Sequence, residues 1–88
     1  MKHASHSAIV KRLRRAEGHL KSLISMMENG RNCVELAQQL QAVESAIGNA
    51  KRELVQEHMA HCVEDALAEG NISAKAAIGE VRAIIKYL

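Results

Sequence analysis

Residues 32–67, NCVELAQQLQAVESAIGNAKRELVQEHMAHCVEDAL, decide the fold. From the Gly30 turn to Gly70 there is no proline and one interior glycine, Gly48, so a single helix of roughly 36 residues is predicted. Its apolar positions Leu36, Leu40, Val43, Ile47, Ala50 and Leu54 advance by fours and threes, the spacing of a coiled-coil-like seam. Carried backwards the same steps reach Cys33, and carried forwards they reach His58, with Cys62 one turn beyond. At about 1.5 Å rise per residue, Cys33 and Cys62 lie roughly 43 Å apart on one straight helix. No single ion reaches both within one copy. Two copies paired antiparallel along the seam bring Cys33 of one beside His58 and Cys62 of the other, giving two identical sites related by a two-fold axis.

Working outward, Ile9, Leu13, Ala16, Leu20, Leu23 and Met27 repeat the same spacing and predict a first helix over about residues 7–28. Ser7 is its expected N-cap, and Asn29-Gly30 its C-terminal turn. Residues 1–7, MKHASHS, are polar and are expected to form a flexible tail that carries His3 and His6. Beyond the long helix, Glu69-Gly70-Asn71 reads as a turn with Ser73 as the next cap. Ile78, Val81, Ile85 and Leu88 then mark a third helix over about residues 74–88. The predicted architecture is all-α, a three-helix protomer that forms an antiparallel helical-bundle dimer.

Composition agrees with assembly. The chain of 88 residues is read as one domain, 1–88, with no Trp or Phe and with Tyr87 as its one aromatic residue. A core of Leu, Ile, Val, Ala and Met in so short a chain is thin, and oligomerisation is the expected remedy. No apolar run is long enough for a signal peptide or a membrane span, so a cytoplasmic protein without a membrane partner is expected. In that compartment Cys33 and Cys62 are expected as thiols or thiolate ligands rather than as a disulfide.

Charge is polarised along the chain. The overall +2 conceals six basic residues against Glu17 in the first 24 positions. Lys11, Arg12, Arg14 and Arg15 crowd the first half of helix one, where self-repulsion favours an anionic partner, and DNA phosphate is the natural one. Lys51 and Arg52 are a second basic pair that extends this patch, although Glu53 and Glu57 offer them ordinary surface salt bridges. No aromatic residues are interleaved, which argues against stacking on single strands.

Several residues point to a metal site. His58 and Cys62, four apart, share one helix face in the manner of two-ligand helical sites. Asn32 followed by Glu35 resembles a capping box that places Cys33 in the first helical turn, where the helix dipole favours an anion. His61 is a weaker candidate ligand, His19 is read as structural, and Glu80 is a candidate hydrogen-bond acceptor behind the ligands. No carboxylate pair, glycine-rich phosphate loop or nucleophile with a base suggests an enzyme.

These motifs identify a family. The RLRR-x-EG-H start, the QQL-x-AV segment, the EGNI turn and the Cys33, His58, Cys62 pattern together resemble the CsoR/RcnR family of bacterial metal-sensing repressors. The resemblance implies a dimer of dimers, a homotetramer, that binds double-stranded operator DNA when metal-free and releases it when metal binds. It implies metal ligands at Cys33, His58 and Cys62, and DNA contacts at Lys11, Arg12, Arg14 and Arg15. Copper(I) sensors resemble this chain in all three ligands, but they usually carry a Tyr before the first Cys where this chain has Asn32. Nickel and cobalt sensors add an N-terminal His, and His3 and His6 are available, so nickel(II) or cobalt(II) is the expected metal and copper(I) the alternative. A thiol-based redox or electrophile sensor, with Cys33 and Cys62 linking different subunits, is the rival reading, as is a plain interaction module.

Overall fold

The computed structural model describes residues 6–68 and 74–88. The chain forms three helices, α1 (His6–Glu28), α2 (Cys33–Ala68) and α3 (Ala74–Ile85). The expected N-cap Ser7 lies inside the first turn of α1, and His6 opens the helix instead of belonging to a tail. The turn over 69–71, Ser73 and His3 lie outside the described residues.

The α1–α2 connection follows from Gly30. Its φ of 75° is in the left-handed region, where a side chain would strain the backbone. That conformation lets Arg31 N donate to Met26 O at 3.1 Å and Gly30 N to Met27 O at 3.2 Å, closing the two orphan carbonyls of a Schellman motif. The next helix begins at once, because Glu35 N donates to Asn32 Oδ1 at 2.8 Å. The reciprocal half of the capping box does not form, since the Glu35 carboxylate is held by the Arg31 guanidinium.

Two compact units are built on this framework, one from α1 with α2 up to Ala50, the other from Lys51 onward. In the first unit both apolar seams divide. Ile9, Ala16 and Leu23 on α1, and Leu36, Val43 and Ala50 on α2, are buried, each set spaced by seven. Leu23, Leu36 and Val43 form the core cluster, with Met26 packed against it. The alternate members stay exposed: Leu13, Leu20 and Met27 on α1, and Leu40 and Ile47 on α2. The expected seam is thus shared between packing inside the chain and a second apolar face that its own helices leave open. His19 has the structural role read for it, with its Nε2 2.5 Å from Gln39 Oε1 across the two helices.

In the second unit the buried residues are Val55 and Cys62, again seven apart but out of register with the set ending at Ala50. On α3 the partly buried side is Ala77, Val81 and Ile84. Ile78 and Ile85, which belong to the apolar repeat that marks the third helix, are 54% and 45% exposed in the single chain.

Candidate metal centre

Helical spacing sets His58 and Cys62 one turn apart on α2, and α3 contributes Glu80. One potential donor atom from each of the three lies within 4.8 Å of the others. Glu80 Oε2 is 3.1 Å from His58 Nε2, close enough to accept the ring proton and leave Nδ1 as the lone-pair donor. Cys62 is buried, whereas the His58 side chain is 22% and the Glu80 side chain 57% exposed. The pocket therefore has a dry sulfur at its base and a wet carboxylate at its rim. Burial pushes the Cys62 thiol pKa up from its ordinary 9.0, and the negative charges of Glu80 and Asp65 push in the same direction. A cation at this site would reverse that balance, since it repays the cost of the buried thiolate.

Cys33 is an exposed free thiol at the opposite end of α2, and it is not a member of the three-residue cluster. Among the described residues the donor set is one sulfur and one nitrogen beside a carboxylate. This fits a metal that prefers sulfur and imidazole. His6 sits in the first turn of α1 with its Nε2 buried. Lys11, Arg12, Arg14 and Arg15 are all exposed on α1, and Lys51 and Arg52 are exposed on α2.

One acidic residue departs from its sequence reading. Glu57, read as a surface partner for Lys51 or Arg52, has a side chain 12% exposed with both carboxylate oxygens buried, and His61 Nε2 lies 3.7 Å from it. Residue 57 is seven positions after Ala50 and continues the spacing of Leu36, Val43 and Ala50, a set that the structure and not the sequence singles out as buried.

The sequence profile of the metal-sensitive transcriptional repressors matches residues 5–87. This chain belongs to that family, the CsoR/RcnR repressors. The repressor is 38% identical over 78 residues to the copper-sensing transcriptional repressor RicR of Mycobacterium tuberculosis, covering 89% of this chain and 81% of the relative. It is 37% identical to the copper-sensing transcriptional repressor CsoR of Bacillus subtilis, covering 89% of this chain and 75% of the relative. Among solved structures, the nickel-responsive transcriptional regulator InrS superposes with a TM-score of 0.85 at 30% identity, covering 100% of the repressor and 98% of InrS. The repressor is a regulator and not an enzyme.

Proposed function

We propose that the chain is a nickel(II)- or cobalt(II)-responsive repressor of metal-efflux genes that binds operator DNA without metal and releases it when metal binds. The observation that carries this reading is the convergence of His58, Cys62 and Glu80, with Glu80 Oε2 3.1 Å from His58 Nε2. Cys33 of a second copy completes the sulfur pair, since the uninterrupted α2 keeps it a helix length from Cys62 of its own chain. The exposed apolar residues Leu13, Leu20, Met27, Leu40 and Ile47 supply the face on which that copy packs. An N-terminal histidine supplies the second nitrogen. That role is assigned first to His3, because His6 Nε2 is buried within α1.

When bound, the ion supplies a cross-link between Cys33 of one subunit and His58 and Cys62 of the next. The chain's own residues do the rest. Glu80 holds the His58 ring and fixes its tautomer. Its anchorage on α3 ties the position of that helix to occupancy of the site. The exposed Lys11, Arg12, Arg14 and Arg15, with Lys51 and Arg52, face the DNA phosphates, in a homotetramer that sets two α1 patches side by side. Metal and DNA then oppose each other reciprocally, each weakening the other by the same factor.

A second reading, copper(I) with Cys33, His58 and Cys62 alone, is favoured by the burial of His6 and by the copper-sensing relatives. The experiment that separates them is an anaerobic absorbance titration of the reduced protein with nickel(II), repeated with His3→Ala and His6→Ala. Intense sulfur-to-nickel bands saturating at one ion per subunit, and altered by His3→Ala, are expected. Absence of such bands overturns the nickel reading, and stoichiometric copper(I) binding by the same sample then establishes the alternative.

A further inference from the structure

Gly18 lies in the middle of α1, where glycine destabilises a helix relative to alanine. No packing contact among the described residues calls for a glycine there. A Cβ built there meets no atom within 4 Å, and Gly18 has no positive φ. Its neighbours on the helix surface are Ser22, four positions after it, and four cations: Arg14 and Arg15, four and three positions before it, Lys21, three after it, and Lys11, seven before it. All four cations are exposed. None of them has an ion-pair or hydrogen-bond partner among the described residues, and Glu17, the nearest acid, projects to the side of this face. The glycine therefore sits among four cations that have no partner among the described residues. It is also on the side of α1 away from the buried Ile9, Ala16 and Leu23, and apart from the exposed apolar residues Leu13, Leu20 and Met27.

We infer that Gly18 is a close-approach point at which the sugar-phosphate backbone of DNA rests directly on the main chain of α1, with Arg14, Lys21, Lys11 and Arg15 gripping the phosphates on either side. The inference rests on the proposed DNA-binding role of α1 and adds a residue that carries no charge to it. Long side chains around a missing one form a depression lined with cations and floored by backbone. A phosphate seated there is within reach of several charge-assisted hydrogen bonds at once, and any side chain at 18 lifts the duplex off them. The depression reads shape and charge, so it acts on any sequence of duplex.

The test compares wild type with Gly18→Ala, Gly18→Leu and Arg14→Ala in binding a mixed-sequence DNA duplex across a salt series, with thermal melting and sedimentation of each variant. Gly18→Ala is expected to melt at or above the wild-type temperature, since alanine is the better helix former, and yet to bind DNA about tenfold more weakly through loss of phosphate contact. Gly18→Leu is expected to bind about a hundredfold more weakly, and Arg14→Ala to flatten the salt dependence. Wild-type affinity in Gly18→Leu, beside a flattened slope in Arg14→Ala, overturns the close-approach role while leaving the DNA reading intact. An unchanged slope in Arg14→Ala overturns the reading of α1 on which it rests. A shift in sedimentation of Gly18→Leu would assign the glycine to subunit packing and overturn the inference as well.

Discussion

At the scale of single residues, two side chains set how the site responds. Glu80 touches the His58 ring at Nε2 and is far more exposed than either His58 or Cys62, and its proposed role is to orient that ring rather than to bind the ion. Glu80→Gln is expected to lower metal affinity by about 10- to 100-fold while leaving the sulfur-to-metal absorption bands in position. A displaced band would show instead that the carboxylate binds the ion directly. The second residue is Cys62, whose thiol is held above its ordinary pKa of 9.0 by burial, then by Glu80 and Asp65. With Cys62 as the proposed ligand, metal displaces that proton, so below the thiol's pKa affinity is expected to fall about tenfold for each unit of pH drop that this one group contributes. For the metal-free fold the sign is opposite. A raised folded pKa makes the neutral thiol the favoured form, so stability is complete below 9.0 and declines as pH rises from there through the higher folded value. Melting curves of metal-free wild type and Cys62→Ser on both sides of that range test this, and equal alkaline losses in the two would refute it. Position 62 was legible in the sequence as half of an i, i+4 pair with His58, but its burial and the acids around it depend on how α3 packs.

At the scale of elements, the helices and their breaks follow local rules that need no tertiary partner. Asn32 caps α2 through its side chain, and Gly30 ends the α1 segment with a left-handed φ of 75°. Gly30→Ala is expected to cost about 1–2 kcal/mol, because an L side chain in that region meets the carbonyl that follows it. Denaturant titration at fixed protein concentration measures it, and no loss would mean that the Schellman turn is not the structure of this connection in solution. The long helix was readable from the absence of breakers between Gly30 and Gly70. Which of its apolar residues pack inside the chain was not. A step of four then three marks a seam without saying who covers it, and the structure gives Leu36, Val43 and Ala50 to the core while leaving Leu40 and Ile47 open. Glu57 shows the same limit, because a carboxylate at a buried register position looks from sequence like any other surface acid.

At the scale of the whole molecule, the proposed function rests on a second copy of the chain. That copy is proposed to cover the exposed apolar residues of α1 and α2 and to bring Cys33 to the cluster of His58, Cys62 and Glu80. Mixing Cys33→Ala subunits with subunits carrying His58→Ala and Cys62→Ala is therefore expected to restore one intact site in each mixed dimer. Metal binding at about half the wild-type stoichiometry per mixed dimer is the expected readout, and no binding in the mixture would sink the shared site. The sequence by itself determined the all-helical class, the long α2, the His58 and Cys62 pair and the cationic face of α1, because each is a matter of local spacing and helix periodicity. The tertiary structure alone decided that Glu80 meets His58, that Cys62 is dry and that each seam is split between core and open face. Those depend on residues distant in sequence being brought together by packing, which periodicity along one helix does not encode.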